Sequence, residues 1–145
     1  MRVVLQRVKS ARVTVSGEEK GSIEKGLLLL VGIAKGDTFS EVQAMAKKIS
    51  NLRVFEDKDG KMNLDINEID GRILSVSQFT LLGTTDKGNR PGFEPAAPPE
   101  EAQKLWEDFN EELVKRGTQV SQGVFGAKME IDLVNDGPVT FVLDR

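Results

Sequence analysis

With 145 residues and no Cys, His or Tyr, this chain cannot build a disulfide, a thiolate or imidazole metal site, a Ser-His-Asp triad or a thiol protease. The length suits one domain, residues 1–145, whose core needs no covalent staple. A net charge of −3, from Lys+Arg 20 against Asp+Glu 23, argues against long contact with a nucleic-acid backbone but allows a small footprint on an RNA end.

The apolar run at the start is short and is broken by Gln6 and Arg7, so it does not read as a signal peptide. The longest apolar run, residues 27–31, is far below the ~20 residues of a membrane span. A cytoplasmic protein is expected. Residues 2–8 and 11–15 alternate as strands, with Val3, Leu5 and Arg7 on one face and Val13 and Val15 on another. Residues 16–21 read as a turn. Residues 27–33 are apolar on both faces, which predicts a central strand.

A helix follows. Thr38 and Glu41 form a capping box, and Val42, Met45, Ala46, Ile49 and Leu52 recur at helical spacing. Residues 53–55 predict a short strand closed by a turn at 57–60. Residues 73–82 predict a long strand, and 82–99 a Gly- and Pro-rich loop of the length that is often functional. Pro98 or Pro99 opens a second helix with Glu100 and Glu101 at its positive end and Lys115 and Arg116 at its negative end. Its apolar stripe is Ala102, Leu105, Trp106, Phe109 and Leu113, and Gly117 stops it. Further strands are expected at 118–120, 129–134 and 139–143, the last two joined by a hairpin at Asn135-Asp136-Gly137. The sum is an α+β fold, strand-rich, with two main helices packed on one side of the sheet.

Two weak motifs fall away on chemistry. Ser22 and Lys25 match S-x-x-K, but in a Gly-bounded turn rather than at a helix start. Asp57 to Glu68 has the acid count of a calcium loop, yet Gly60 is not at the sixth place, so a solvated hairpin is expected there. No metal ligand cluster and no cofactor is indicated. The basic groups Arg2, Arg7, Lys9 and Arg12, and Lys87 with Arg90, read individually as solvated charges.

Two segments carry more. Ser77-Gln78-Phe79-Thr80 places three hydrogen-bonding side chains in an apparently buried strand, where each unpartnered group costs roughly 1–3 kcal/mol. Alternation sets Gln78 and Thr80 opposite Ser77 and Phe79, and a break in the strand would aim several of them at one pocket. Thr80 has no base near it in sequence. The Phe79 and Thr80 backbone N–H groups suit an oxyanion better than the side chains suit attack. Gly137-Pro138 is the other segment; the residues alone leave both the trans and the cis isomer open.

Together these segments resemble the D-aminoacyl-tRNA deacylase family. Its two signatures appear here as Ser77-Gln78-Phe79-Thr80-Leu81 and Asn135-Asp136-Gly137-Pro138-Val139-Thr140. Residues 1–8, 55–57, 60–64, 90–91 and 125–129 are also similar to the family, so the likeness spans the chain. Gly92, Leu82-Gly83 and Gln122 depart from the usual pattern, all outside the signatures.

The resemblance implies a homodimer with active sites at the subunit interface, and hydrolysis of the ester joining a D-amino acid to the 3′-terminal adenosine of tRNA. It implies that Gly137-Pro138 enters the partner's pocket as a Gly-cis-Pro element, that Arg7 holds this element, and that Phe125 and Met129 line the pocket or receive the adenosine. Ser77, Gln78, Phe79 and Thr80 would form the catalytic stretch. The substrate's 2′-hydroxyl would assist the attacking water, with Thr80 as nucleophile the competing mechanism. L-aminoacyl esters would be rejected by clash, while glycine, including glycine mischarged on tRNA(Ala), would pass. The alternatives are an editing domain for mischarged L-amino acids and a non-catalytic tRNA-end binding module using Lys87 and Arg90.

Overall fold

One long strand organises the sheet. In the computed structural model, which describes residues 1–86 and 88–145, β1 (Arg2–Val15) is continuous where the sequence suggests two pieces. The first half of β1 pairs antiparallel with β3 (Gly26–Gly32), and the second half with β2 (Glu18–Ile23). The turn between β1 and β2 is tighter than expected: Ser16 and Gly17 take positive φ values of 51° and 82°, the backbone of a two-residue hairpin turn, so residues from Glu18 on already belong to a strand.

Along the other side of β3 run β6 (Arg72–Ser77) and then β7 (Gln119–Gln122), both in parallel pairing. A small separate ribbon is formed by β4 (Phe55–Glu56) and β5 (Met62–Leu64); Asp57 accepts from the Asp59 and Lys61 amides in the turn beside it.

Both expected helices are present. In α1 (Phe39–Ser50) the Thr38 hydroxyl accepts from the Ser40 amide, and the Thr38 amide donates to Glu41 at 2.7 Å. The Thr38 hydroxyl, which also donates to the Glu41 carboxylate at 2.7 Å, and then the Thr38 amide hold that carboxyl below its ordinary pKa. Helix α2 (Pro99–Lys115) buries the predicted stripe from Ala102 to Leu113. The helices pack against each other and against the face of the sheet carrying Val3, Leu5, Leu27, Leu29, Val31 and Ile73. A second, smaller core holds Val8, Ala11, Val13, Ile23, Leu28, Leu74 and Val76, because the sheet curls until β2 reaches β6 and β7. There the Ser121 hydroxyl donates to the Ser22 carbonyl at 3.2 Å. The fold is thus α+β, strand-rich, with two helices.

Two expectations are corrected. Residues 73–82 do not form one strand: β6 ends at Ser77 and Phe79–Leu82 is a 3-10 turn. The ladder partner gives out, since Val31 is the last residue of β3 to face β6 and its carbonyl takes the Gln78 amide at 2.7 Å. Nor does Asn135-Asp136-Gly137 reverse the chain. β8 (Glu130–Asp144) runs through it, paired with β1 at both ends. Val8 faces Asn135 and Gln6 faces Thr140, so residues 136–139 loop outward opposite Arg7. A continuous partner strand overrides the local turn signal. Among the described residues no helix is long and apolar enough to cross a membrane.

Candidate active site

The end of β6 matters because three elements open there together. β3 and β6 finish side by side, the chain from β7 to β8 passes in front of them, and the start of α2 closes one side. Between them lies a cavity of about 690 Å³. Ser77, Gln78, Phe79, Phe125 and Met129, five of the residues singled out in the sequence, line it together. Its walls are mostly apolar. Lys35, Phe93, Ala96 to Pro99, Trp106 and Ala127 also contribute and have no local signal that marks them, because they reach the site only through the tertiary fold.

The floor is fixed by a buried polar pair: the Trp106 indole donates to the Ser75 hydroxyl at 3.0 Å, and neither group sees solvent to any extent. Trp106 then leans on Phe125, with ring centroids 5.9 Å apart. At the mouth, Phe79 is 56% exposed and packs edge-on against Phe93 at 4.9 Å. The Ser77 to Thr80 stretch is therefore not buried as a strand would be. The 3-10 turn replaces strand alternation and lets the Gln78 amide donate to the Thr80 hydroxyl, pairing two of the three polar side chains with each other. Phe79 and Thr80 open that turn, where the backbone N–H groups have no acceptor within the helix. Two adjacent donors at the positive end of a turn, beside an apolar cavity, form an arrangement suited to a carbonyl oxygen that gains charge.

Arg7, Gly137 and Pro138 do not line this cavity in the same chain, and neither does Thr80. They lie together elsewhere. Arg7 is 4% exposed; its Nε donates to the Asp136 carbonyl at 2.9 Å, one Nη donates to the Val54 carbonyl at 2.7 Å, and Glu56 stands 3.4 Å from the other. Asn135 clamps the far side of the loop, accepting from the Val139 amide at 2.8 Å and donating to the Val139 carbonyl at 3.3 Å. The Gly137-Pro138 bond is cis, and both residues are exposed. Gly137 has φ of 149°, and a Cβ there would meet Val139 Cγ2 at 2.6 Å, so the loop requires glycine.

The N-terminal basic cluster is tied up along β8. Arg2 pairs with Asp144 at 2.7 Å and Arg12 with Asp132 at 2.9 Å. The hydrogen bonds to these carboxylates, and then their charge, raise both guanidinium pKa values. Arg90 is exposed, and Lys87, the other cation expected at a phosphate, lies outside the described residues. Among the described residues no three acidic side chains gather as a metal site would require.

The chain is similar to known proteins over nearly its whole length. The profile of the D-Tyr-tRNA(Tyr) deacylase family matches residues 4–144. The D-aminoacyl-tRNA deacylase of Lactobacillus delbrueckii subsp. bulgaricus is 57% identical over 144 residues, covering 99% of each chain. That of Brevibacillus brevis is 55% identical with the same coverage. Among solved structures, the c-Myc DNA Unwinding Element Binding Protein superposes with a TM-score of 0.94 at 44% identity, covering 100% of this chain and 99% of the other. A structure described as a probable eukaryotic D-amino acid tRNA deacylase matches at 0.85 and 17% identity over 99% and 98%, a likeness of fold alone.

Proposed function

Because this chain belongs to the D-aminoacyl-tRNA deacylase family and so hydrolyses the ester bond of D-aminoacyl-tRNA, we propose how its residues carry out that reaction. The whole chain, residues 1–145, acts as one deacylase domain in the cytoplasm, on the 3′ end of tRNA. The observation that carries this reading is the pair of adjacent amides, Phe79 and Thr80, at the rim of an apolar cavity.

The 3′-terminal adenosine enters the cavity against Phe125 and Met129, where an aromatic ring offers a base a stacking surface. The ester carbonyl then sits at the 3-10 turn. Water attacks it, the Phe79 and Thr80 N–H groups hold the oxyanion, and its collapse expels the ribose 3′-oxygen, which takes the proton that the attacking water gives up through the neighbouring 2′-hydroxyl. An aminoacyl ester is already activated, so no protein base is needed. Ser77 and Gln78 set the turn, Gln78 through its bond to Thr80.

Selectivity comes from a second copy of the chain. Among the described residues β8 pairs with β1 alone and exposes Leu133, Val134, Phe141 and Val142, the kind of edge that a partner covers. In the homodimer the Gly137-Pro138 loop, held by Arg7 and Asn135, projects into the partner's cavity. A rigid main-chain wedge clashes with an L side chain and leaves a D side chain free. Such a filter excludes by shape, so glycyl-tRNA, including glycine on tRNA(Ala), passes. Deacylation rates for the D-, L- and glycyl esters of one tRNA test this directly. D and glycyl esters should be cleaved and L spared; an inert glycyl ester, or an L ester cleaved as fast as the D ester, would refute the wedge.

A further inference from the structure

We propose that Lys35 is a positioning residue for the substrate, binding the 5′-phosphate of the terminal nucleotide; this rests on the reading that the cavity receives that nucleotide. Among the described residues that line the cavity, Lys35 is the one that carries a charge. It is exposed, and its backbone is fixed by the Lys35 amide bond to the Pro95 carbonyl at 2.9 Å. The nearest acid in sequence does not neutralise it. Asp37 is engaged on both oxygens, one taking the Met1 ammonium at 2.6 Å and the other the Ala34 amide at 2.6 Å.

The chemistry of an aminoacyl nucleotide leaves one partner for such a cation. The α-amino group is positive, the ester and sugar are neutral, and the oxyanion forms at the turn. The phosphate is the remaining anion, and a Lys ammonium binds phosphate as a point charge. The spacing is compatible. The Val31 carbonyl bonds the Gln78 amide at the edge of the turn at 2.7 Å, and Lys35 follows four residues later, with Cα at most about 14 Å from that of Val31. One nucleotide spans the interval between ester and phosphate within that limit.

Three substrates decide the matter: a D-aminoacyl-tRNA, the matching 3′-O-D-aminoacyl-adenosine, and the same adenosine bearing a 5′-phosphate. With the tRNA, Lys35→Ala should raise KM about five- to tenfold with kcat little changed, and Lys35→Arg should restore most of it. The slope of log(kcat/KM) against log salt should become shallower by about 0.7, the loss of one single-strand phosphate contact. On the unphosphorylated adenosine the Lys35→Ala effect should shrink below about twofold, and on the 5′-phosphorylated one it should return. An equal loss on all three substrates, no loss on the tRNA, or a loss confined to the tRNA would overturn the assignment. Wild-type protein inert toward all three would instead fall on the reading of the cavity, and the assignment would fall with it.

Discussion

Where the 3-10 turn meets the cavity, Phe79 and Thr80 are exposed and their amides have no acceptor within the helix. At the Gly137-Pro138 loop the opposite holds: buried Arg7 binds the Asp136 carbonyl and Asn135 binds both the amide and the carbonyl of Val139. On the proposed function the contrast separates two tasks. A group that must meet a charge developing on a substrate gains by having no protein partner beforehand. A group that sorts substrates by shape gains by being held from both sides, since a loop free to yield would reject nothing.

Removing one free donor should have the largest effect. Phe79 occupies the first position of the turn, where a missing N–H breaks no bond inside the helix. Phe79→Pro should therefore keep the turn but delete an N–H, and lower kcat about 100-fold or more. Phe79→Ala keeps the amide and should cost far less. Similar losses in both, measured by single-turnover deacylation, would place the effect in the ring and not the backbone.

On the held side, Arg7→Ala should destabilise the protein by about 3 kcal/mol in urea unfolding, because it takes the donor from the buried Val54 carbonyl and from the part-buried Asp136 carbonyl. The surviving folded protein should cleave L esters measurably. Arg7→Lys should not rescue, since one ammonium cannot reproduce the fork of contacts. The smallest effect is expected for Thr80→Ala, whose hydroxyl bonds only Gln78 among the described residues. It should lower kcat within about threefold, the weight of one exposed hydrogen bond. A near-complete loss with an otherwise intact fold would revive Thr80 as a nucleophile.

Much of the scaffold is legible in the sequence because its signals are local. The Thr38–Glu41 box, the stripe from Ala102 to Leu113 and the doubly apolar strand β3 each depend on neighbours a turn or a ladder away. The errors fall where distant partners decide. The Asn135-Asp136-Gly137 signal fails because β1 offers β8 a continuous edge past the loop, and the run to Leu82 stops being a strand because β3 ends first. The signature segments are visible as residues, yet the meeting of Phe125, Trp106, Phe93 and Lys35 around one cavity is not, since they come from four separate stretches of chain. That Arg7 reaches both β4 and the β8 loop is likewise a long-range fact, although its place beside Val3 and Leu5 on one face is correctly indicated by alternation.

In the proposed dimer one chain supplies the cavity and its twin the wedge. Dimers mixed from Phe79→Pro and Gly137→Ala chains, each carrying a different tag, test it in one measurement of the D-to-L rate ratio. The first chain has a disabled cavity and an intact loop; the second has an intact cavity and a loop strained at φ of 149°. If the sites are shared across the interface, the mixed dimer holds one site with both parts sound, and D-selective hydrolysis should reappear. A mixed dimer with the same ratio as the Gly137→Ala protein alone would contradict the account.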